Sequence, residues 1–283
     1  MTRLRADAMR LKIFVVFHKV IDERLIFQPF AASEIDDYFA LYAVNEKFPR
    51  KRVTKANGQT SLASANDPHV VLEYALGWYD PALQSRGFLE TSCYVHLVKN
   101  DLHLPFDYIG VTQYDMRWRE KGAAALRALA DRAPTTDKIA YGFQYGTLIN
   151  DAGEFHPLAF TQSFNWEFLI ASYNRFFDQR LDARSLVGQP LTLFQTYLLP
   201  RSEFVALAQW LEVLCGEVYP WANQPPYPAY WGLLSAYMER AEALFIAARL
   251  HEEKLTFCHL PLQHDPSIPV QLGVSKDHYG RSE

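Results

Sequence analysis

The stretch Asp107-Tyr-Ile-Gly-Val-Thr-Gln-Tyr-Asp115-Met decides the interpretation of the fold. Its apolar first half is typical of a strand that is covered on both faces of a sheet. Gly110 within that half indicates a close neighbour on one sheet face. Gln113, Tyr114 and Asp115 follow the apolar half directly, so the stretch predicts a buried strand that delivers polar side chains to an active-site rim.

Other segments repeat this alternation of apolar runs and helical patterns. Residues 11–17 are a nearly continuous apolar run that ends at His18 and Lys19, which makes both residues ligand-site candidates. Further strands are predicted at residues 139–145, 192–199 and 255–260, and helices at residues 90–99, 120–132, 164–180, 202–218 and 232–250. The alternation predicts an α/β fold with a mostly parallel central sheet flanked by helices. Since no linker or repeat interrupts the chain, we expect a single domain over residues 1–283.

Two segments are harder to place in this scheme. Residues 36–67 are polar and rich in turn residues, which indicates an excursion from the sheet. In residues 69–79 the side chains Val70, Val71, Tyr74 and Trp78 share a helical face, which predicts a helix.

Composition and charge narrow the classes of partner. The 283 residues are 49% hydrophobic with a formal net charge of −4, which argues against nucleic acid as a partner. One basic cluster, Arg50-Lys51-Arg52 with Lys55, is either a solvated loop or a phosphate contact. The aromatic content of 14% fits an aromatic-rich core or a cleft for sugars or nucleobases.

The sequence also bears on the compartment. Cys93, Cys215 and Cys258 are too far apart for a metal motif or a disulfide framework, so we expect free thiols in a reducing compartment. The first residues have no secretory apolar core, and no apolar run reaches the ~18 residues of a membrane span. We therefore expect a cytoplasmic protein, with peripheral association at the inner membrane face as a further option.

Standard catalytic signatures are absent, so carboxylates and histidines at strand ends are the remaining candidates. Asp115 follows a strand and either holds Mg²⁺ or Mn²⁺ against a diphosphate or caps the following turn. His259, His264 and Asp265 follow the final strand and either complete a metal or phosphate site or stay unliganded.

Polar side chains inside predicted elements leave two interpretations open. Glu73 faces either a ligand or solvent on its predicted helix. Gln195 interrupts an apolar strand and either pairs with backbone or reaches the site. Glu239 and Glu242 flank a buried helical stripe, for which solvent exposure or a pair with Arg240 is favoured over catalysis.

Several motifs in order resemble a known family. These are Phe17-His18-Lys19, Glu73-Tyr74, residues 79–84, Glu90-Thr-Ser-Cys-Tyr94-Val-His96, the stretch ending in Asp115, residues 193–218 and Tyr237-Met-Glu239-Arg240. Together they resemble small bacterial and viral glycosyltransferase-like domains with the GT-A fold. The likeness covers most of the chain.

The resemblance implies a nucleoside-diphosphate sugar donor and a glycan or lipid-linked acceptor, in surface polysaccharide or glycoconjugate biosynthesis. In GT-A enzymes an Asp-x-Asp element holds a divalent metal against the diphosphate. The matching place here reads Gln113-Tyr114-Asp115 and keeps one carboxylate, whereas related domains carry a His-Tyr-Arg-Arg run. A Mn²⁺ or Mg²⁺ cofactor is therefore an option rather than a requirement.

The resemblance does not place the general base, so residues at strand ends and in the matching motifs are candidates for its roles. Catalytic candidates are Asp115, Glu167 and Asp265, with Glu239 as a further candidate for the general base. The metal would be held by Asp115 and His264. Donor-binding candidates are His18, Lys19, Glu73, Tyr94, Gln113, Tyr114 and Gln195.

Two other functions compete with this one. The reduced Asp-x-Asp element is compatible with a non-catalytic carbohydrate-binding or scaffold domain of the same fold. A metal-dependent phosphohydrolase that uses Asp115, His259 and His264 ranks last, because it needs more clustered ligands than the sequence shows.

Overall fold

The computed structural model describes residues 9–44, 50–133, 138–160, 165–222 and 231–273. The strands are β1 (Leu11–Phe17), β2 (Val20–Asp22), β3 (Phe39–Ala43), β4 (Arg52–Thr54), β5 (Thr60–Leu62), β6 (Val70–Leu72), β7 (Tyr108–Gln113), β8 (Met116–Trp118), β9 (Ile139–Thr147), β10 (Pro190–Pro200), β11 (Thr256–His259) and β12 (Leu262–His264). The helices are α1 (Glu23–Ile26), α2 (Ala32–Tyr38), α3 (Pro81–Ser85), α4 (Thr91–Lys99), α5 (Glu120–Ala130), α6 (Pro157–Phe160), α7 (Trp166–Phe177), α8 (Arg201–Ala222), α9 (Trp231–His251) and α10 (Ser267–Gln271), with 3-10 turns at Glu73–Ala75 and Ala183–Leu186.

Seven strands form one mixed sheet in the order β11-β9-β10-β7-β1-β3-β6. β1 is parallel to β7 and β3, β3 is parallel to β6, and β9 is parallel to β11. β10 lies antiparallel between β7 and β9. The other strands of this sheet therefore point the same way, and the predicted mostly parallel α/β sheet is confirmed.

The side chains of β1 alternate between two apolar layers, because successive residues of a strand face opposite sides of a sheet. Phe14 and Val16 pack into the layer that contains α4, α7, α8 and α9. Ile13, Val15 and Phe17 pack into the layer that contains α1, α2 and α5. Helices thus cover the central strands on both faces, which explains why the strand sequences are continuous apolar runs.

Gly110 lies where two strands approach each other closely in the centre of the sheet. A Cβ atom on Gly110 would lie 2.7 Å from the carbonyl oxygen of Tyr197 on β10 and 3.1 Å from Ile13 on β1. The close neighbour predicted from this glycine is therefore confirmed, and it is the backbone of the antiparallel strand.

Two predictions of local structure are wrong. Residues 70–72 form the edge strand β6 rather than the start of a helix, because the Val-Val-Leu run pairs with β3 and its β-branched side chains favour extended backbone. Residues 36–67 are not only an excursion, since they contain β3, whose five residues are all buried beside β1. The strand was not predicted, because its five residues lie between longer polar segments that dominate the composition of this region.

The residues of the basic cluster differ in placement: Arg50 and Arg52 are exposed, whereas Lys51 and Lys55 are held by internal contacts. Lys51 has no exposed surface and donates from Nζ to the carbonyl oxygen of His18 at 2.8 Å. Lys55 forms ion pairs of 3.3 Å with Glu23 and with Asp67. These contacts attach the small sheet β2-β4-β5 to the end of β1.

Among the described residues, no helix combines the length and the hydrophobicity that are needed to cross a bilayer.

Candidate functional site

The candidate site lies at the carboxyl ends of β1 and β7, where β10 passes in the opposite direction. The register pairs Tyr197 with Val111, so the preceding residues of β10 lie beside the end of β7. There the Gln113 side chain donates from Nε2 to Oε1 of Gln195 at 3.3 Å. Two predicted donor-binding residues are therefore neighbours across the strands.

A bulge interrupts β10 at this level. Phe194 and Gln195 have φ angles of +63° and +44°, and the pairing with β9 shifts register between Thr192 and Tyr197. Residues other than glycine adopt this left-handed backbone conformation at a cost of about 1–3 kcal/mol each. Such residues are concentrated at functional sites. The bulge brings the Phe194 ring out of the regular ladder and toward β12.

One face of α9 holds the bulge in place. Ser235, Glu239 and Glu242 are spaced so that they share this face of the helix. The Glu239 carboxylate accepts a hydrogen bond from the Phe194 backbone N–H, and Glu242 Oε1 accepts one from Gln195 Nε2 at 3.0 Å. Two carboxyl groups of a neighbouring helix therefore hold the bulge, Glu239 through the backbone of Phe194 and Glu242 through the side chain of Gln195.

Three carboxyl groups around this face have shifted pKa values: those of Glu239 and Glu242 are raised, and that of Glu90 is lowered. Complete burial raises the pKa of Glu242 well above its ordinary value, and the charge of Glu239 raises it further. Burial also raises the pKa of Glu239, against the charge of Arg240. Burial opposes ionisation of Glu90, but the hydrogen bond and charge of His18, together with hydrogen bonds from the backbone and from Ser235, outweigh it and lower the pKa. Neighbouring acids with divergent pKa values are typical of catalytic sites, although structural networks produce them too.

His18 joins the end of β1 to the same network. Its Nε2 lies 3.0 Å from Oε1 of Glu90, whose other oxygen accepts from Ser235 Oγ at 3.1 Å. Nδ1 of His18 is buried without a hydrogen-bond partner among the described residues. Lys19 follows half-buried, and its carbonyl oxygen accepts from the Arg52 N–H at 2.9 Å.

Asp115 and His264 meet because β8 pairs antiparallel with β12. The register places His264 opposite Met116, and Nε2 of His264 lies 3.3 Å from Oδ2 of Asp115. The hydrogen bond with Asp115 raises the pKa of His264. The imidazole also stacks on the Phe194 ring, with centroids 4.1 Å apart and an interplanar angle of 16°. The strand-end carboxylate, the histidine and the bulge therefore form one cluster.

The fit of a divalent metal depends on the donors in this cluster. Oδ1 of Asp115 is buried and has no hydrogen-bond partner among the described residues, so it could accept a metal or a proton donor. Within the described part of the chain, no group of three or more His, Cys, Asp and Glu side chains could hold a metal ion. Mg²⁺ is often bound by one or two carboxylates together with substrate phosphates and water, and Asp115 alone fits that mode, because an imidazole such as that of His264 suits softer divalent ions.

The remaining catalytic candidates differ in placement. Asp265 forms a 2.7 Å ion pair with Arg117 and accepts hydrogen bonds from Ser267, which with the arginine charge lower its pKa. Glu167 is exposed in the first turn of α7, and within the described residues no contact links it to Asp115. The structure thus brings Asp265 next to the Asp115 cluster and leaves Glu167 outside it.

Three donor-binding candidates turn inward. Oε1 of Glu73 accepts hydrogen bonds from Ser92 and from Nδ1 of His96, and the Tyr94 hydroxyl lies 3.1 Å from Glu242. Glu73 and Tyr94 have no exposed surface, and Tyr114 is half-buried against an apolar layer. This placement favours support of the site over direct contact with a donor.

Sequence reasoning missed part of the network. Glu90 and Ser235 are not among the predicted site residues, and for Glu242 the sequence favours solvent exposure or a pair with Arg240, whereas the side chain is fully buried. The spacing of Ser235, Glu239 and Glu242 on an otherwise apolar helix was a usable signal. Phe194 carried no signal, because nothing in its residue type indicates positive φ.

Comparison with known proteins bears on the fold. No protein-family model matches the chain, and no curated protein matches it. Among solved structures, the chain is similar to the apo structure of WbbM, a bifunctional glycosyltransferase, with a TM-score of 0.52 and 13% identity. The similarity covers 90% of this chain and 45% of the WbbM chain, so this chain spans about half the length of that protein. The fold is the α/β fold that the sequence pattern predicts, and it is consistent with the GT-A-like fold that the resemblance implies.

Proposed function

We propose that this chain is a glycosyltransferase that moves a sugar from a nucleoside-diphosphate donor to a glycan or lipid-linked acceptor. One observation carries the proposal: the Asp115–His264 pair meets the strained bulge of β10 at the carboxyl ends of β1 and β7. In open α/β sheets this edge is where ligands bind. The description of WbbM as a glycosyltransferase supports the same reaction class.

The donor diphosphate needs charge compensation as it leaves. A divalent metal, when bound by Asp115 and His264, would supply positive charge against the phosphate oxygens. His264 lies beside Asp115, and Lys19 lies at the end of β1, so the chain also offers basic side chains of its own. Gln113 is half-buried and supplies neutral donor and acceptor atoms for the sugar or ribose hydroxyls, and the buried Gln195 holds its side chain in place.

An inverting reaction also needs a base for the acceptor hydroxyl, and Glu239 suits this role best. Its side chain retains 15% exposure, and burial raises its pKa toward the range in which a carboxylate accepts a proton effectively. Asp265 is less suited, because its ion pair and hydrogen bonds lower its pKa and weaken it as a base. Glu167 lies outside the cluster.

A thermal-shift measurement tests the donor assignment. The purified protein is heated with UDP, GDP, dTDP or CMP, each with and without Mn²⁺. We expect one nucleotide to raise the melting temperature, because a ligand at about a hundred times its Kd stabilises the native state by about 2.7 kcal/mol. No shift with any nucleotide, with or without metal, would contradict the proposal.

A non-catalytic carbohydrate-binding domain is the second candidate, because Asp115 supplies the one carboxylate of the predicted metal element. The two functions separate in a transfer assay with radiolabelled nucleotide sugars and total glycolipid or glycan acceptors. Product that depends on Asp115 supports the transferase. Glycan binding that is unchanged in Asp115→Ala, with no product from the unmutated protein, supports the binding domain.

A further inference from the structure

A row of aromatic rings leads away from the Asp115–His264 pair. It consists of His264, Phe194, Tyr145 and His156, and we call it the aromatic row. The Phe194 and Tyr145 centroids are 6.1 Å apart, and the Tyr145 and His156 centroids are 5.8 Å apart. Tyr145 is 47% exposed, so a large part of its ring is available to a ligand.

The aromatic row ends at a cavity of about 510 Å³. Its lining residues come from the end of β9 and from the following turn, and they are Thr147, Asn150, Glu154, Phe155, His156 and Pro157. Small-molecule sites commonly have volumes of roughly 300–1,000 Å³ and combine apolar walls with a few placed polar groups. The cavity therefore has room for a sugar unit next to the exposed tyrosine.

The polar groups of the cavity are held in place by internal hydrogen bonds. Asn150 Nδ2 donates to Oε2 of Glu154 at 3.1 Å. Nδ1 of His156 accepts from the Leu158 N–H at 3.2 Å, which leaves the proton on Nε2. Within the described residues no acceptor contacts this Nε2–H. Gly146 makes room for the ring, since a Cβ there would lie 3.3 Å from His156.

The chemistry of this lining selects for the kind of ligand. Sugars present C–H faces that pack on aromatic rings and hydroxyl edges that hydrogen-bond to carboxylates, amides and imidazoles. Glu154 contributes a carboxylate, and the described lining contains no lysine or arginine. Phosphates and acidic sugars would be repelled here, whereas an uncharged saccharide would satisfy both the ring and the polar groups.

We propose that Tyr145, Glu154 and His156 bind a neutral saccharide, and that the aromatic row guides it toward the Asp115–His264 pair. The assignment of this site as an acceptor subsite rests on the proposed glycosyltransferase function. The site is separate from the donor side, because its residues come from β9 and the turn after it rather than from β1 and β7.

Binding of saccharides can be measured without any transfer reaction. The labelled protein is applied to an array of neutral oligosaccharides that contain hexoses, N-acetylhexosamines, deoxyhexoses and pentoses, with acidic glycans alongside. The best neutral glycan is then titrated against variants in solution. We expect Tyr145→Ala and Glu154→Ala to weaken its binding at least roughly tenfold, and Tyr145→Phe to retain it, since the ring face persists. Phe176→Ala is the matched control, because Phe176 is an exposed aromatic residue on α7.

The outcomes separate this site from the donor proposal. Unchanged binding in Tyr145→Ala, or binding of acidic glycans alone, or binding of no neutral glycan, overturns the saccharide site. Nucleotide-induced stabilisation is measured on the same variants and should be unchanged in them. If no nucleotide stabilises the protein but Tyr145→Ala still abolishes glycan binding, the saccharide site holds and the transferase assignment fails.

Discussion

His264 Nε2 lies 3.3 Å from Oδ2 of Asp115, although 149 positions separate the two residues in the chain. Pairing of β12 with β8 creates this contact, and the stacked ring of Phe194 extends it to the bulge of β10. The bulge is in turn hydrogen-bonded to Glu239 of α9. Asp115 thus contacts His264 directly and is linked through the Phe194 ring to a bulge that α9 holds, which makes Asp115 the residue to change first.

Asp115→Asn should reduce sugar transfer by roughly 10²–10³-fold, because an amide keeps the shape of the side chain but loses the charge that would hold a metal or orient His264. Any stabilisation by nucleotide that requires Mn²⁺ should disappear as well. Steady-state transfer rates and melting temperatures with and without metal measure both effects.

A control for this change lies at the other end of the same strand. Asp107 precedes β7 and pairs with the exposed Arg10, so Asp107→Asn removes a carboxylate far from the carboxyl edge. We expect transfer to be unaffected in it, since exposed ion pairs contribute about 0–1 kcal/mol to stability. Equal losses in both variants would point to a general effect of charge and would remove the special role of Asp115.

Much of the sheet could be predicted from the sequence, because parallel strands that are buried on both faces consist of nearly continuous apolar residues. β1, β7 and β9 were predicted in this way, and Gly110 correctly indicated a close neighbour. β6 was predicted as part of a helix, because a strand of three residues is too short to show an alternating apolar pattern, whereas the apolar spacing over residues 69–79 fits a helix.

The site was harder to predict than the sheet. Strand ends were predictable as candidates, since ligands gather at the carboxyl edge of such sheets, and Asp115, Gln113 and His18 do lie there. The positive φ of Phe194 and Gln195 is imposed by tertiary contacts with α9 and has no local sequence signal. Burial of Glu242 likewise depends on which partners the fold supplies.

Glu242→Gln tests whether this buried acid is neutral. A glutamine reproduces the hydrogen bonds of the protonated acid, with its oxygen toward Gln195 and its amide toward the Tyr94 hydroxyl. Burial raises the pKa of Glu242 above its ordinary 4.5. The native state therefore holds this proton above the pH at which the unfolded chain loses it, and the unmutated protein loses stability as pH rises through that window.

The variant lacks this loss. We expect its unfolding free energy, relative to that of the unmutated protein, to increase as pH rises from about 4 to 7 in urea titrations. A constant difference across this range would show that Glu242 is ionised in the folded protein at neutral pH.

Lys51→Met addresses a buried cation at the end of β1. Burial lowers the pKa of Lys51 from 10.5 to about 8. Between these values the unfolded chain binds more protons than the native protein, so this lysine makes stability rise with pH there by up to about 1.4 kcal/mol per pH unit. Methionine keeps the apolar stem without the charge, and the variant should lack this rise.

The measurement compares urea unfolding at pH 7.5 and pH 10 for both proteins. The unfolding free energy of the unmutated protein, minus that of Lys51→Met, should increase by about 3 kcal/mol at most between these two pH values. Lys121→Met serves as the control, since Lys121 is exposed. If Lys51→Met shows the same pH profile as this control, Lys51 titrates as an ordinary surface lysine and the buried cation is excluded.

Two glycine-to-alanine substitutions should act in opposite directions. An alanine Cβ at Gly110 would lie 2.7 Å from the Tyr197 carbonyl oxygen, and the backbone of β10 cannot move without disturbing the adjoining bulge. Gly216 lies exposed on α8, and a Cβ there meets no described atom within 4 Å. We expect Gly110→Ala to lower the unfolding free energy by about 3 kcal/mol and Gly216→Ala to raise it by about 0.5–1 kcal/mol. Calorimetric melting of both variants checks the signs, and a stable Gly110→Ala protein with normal transfer would mean that β7 and β10 tolerate a wider separation than the structure shows.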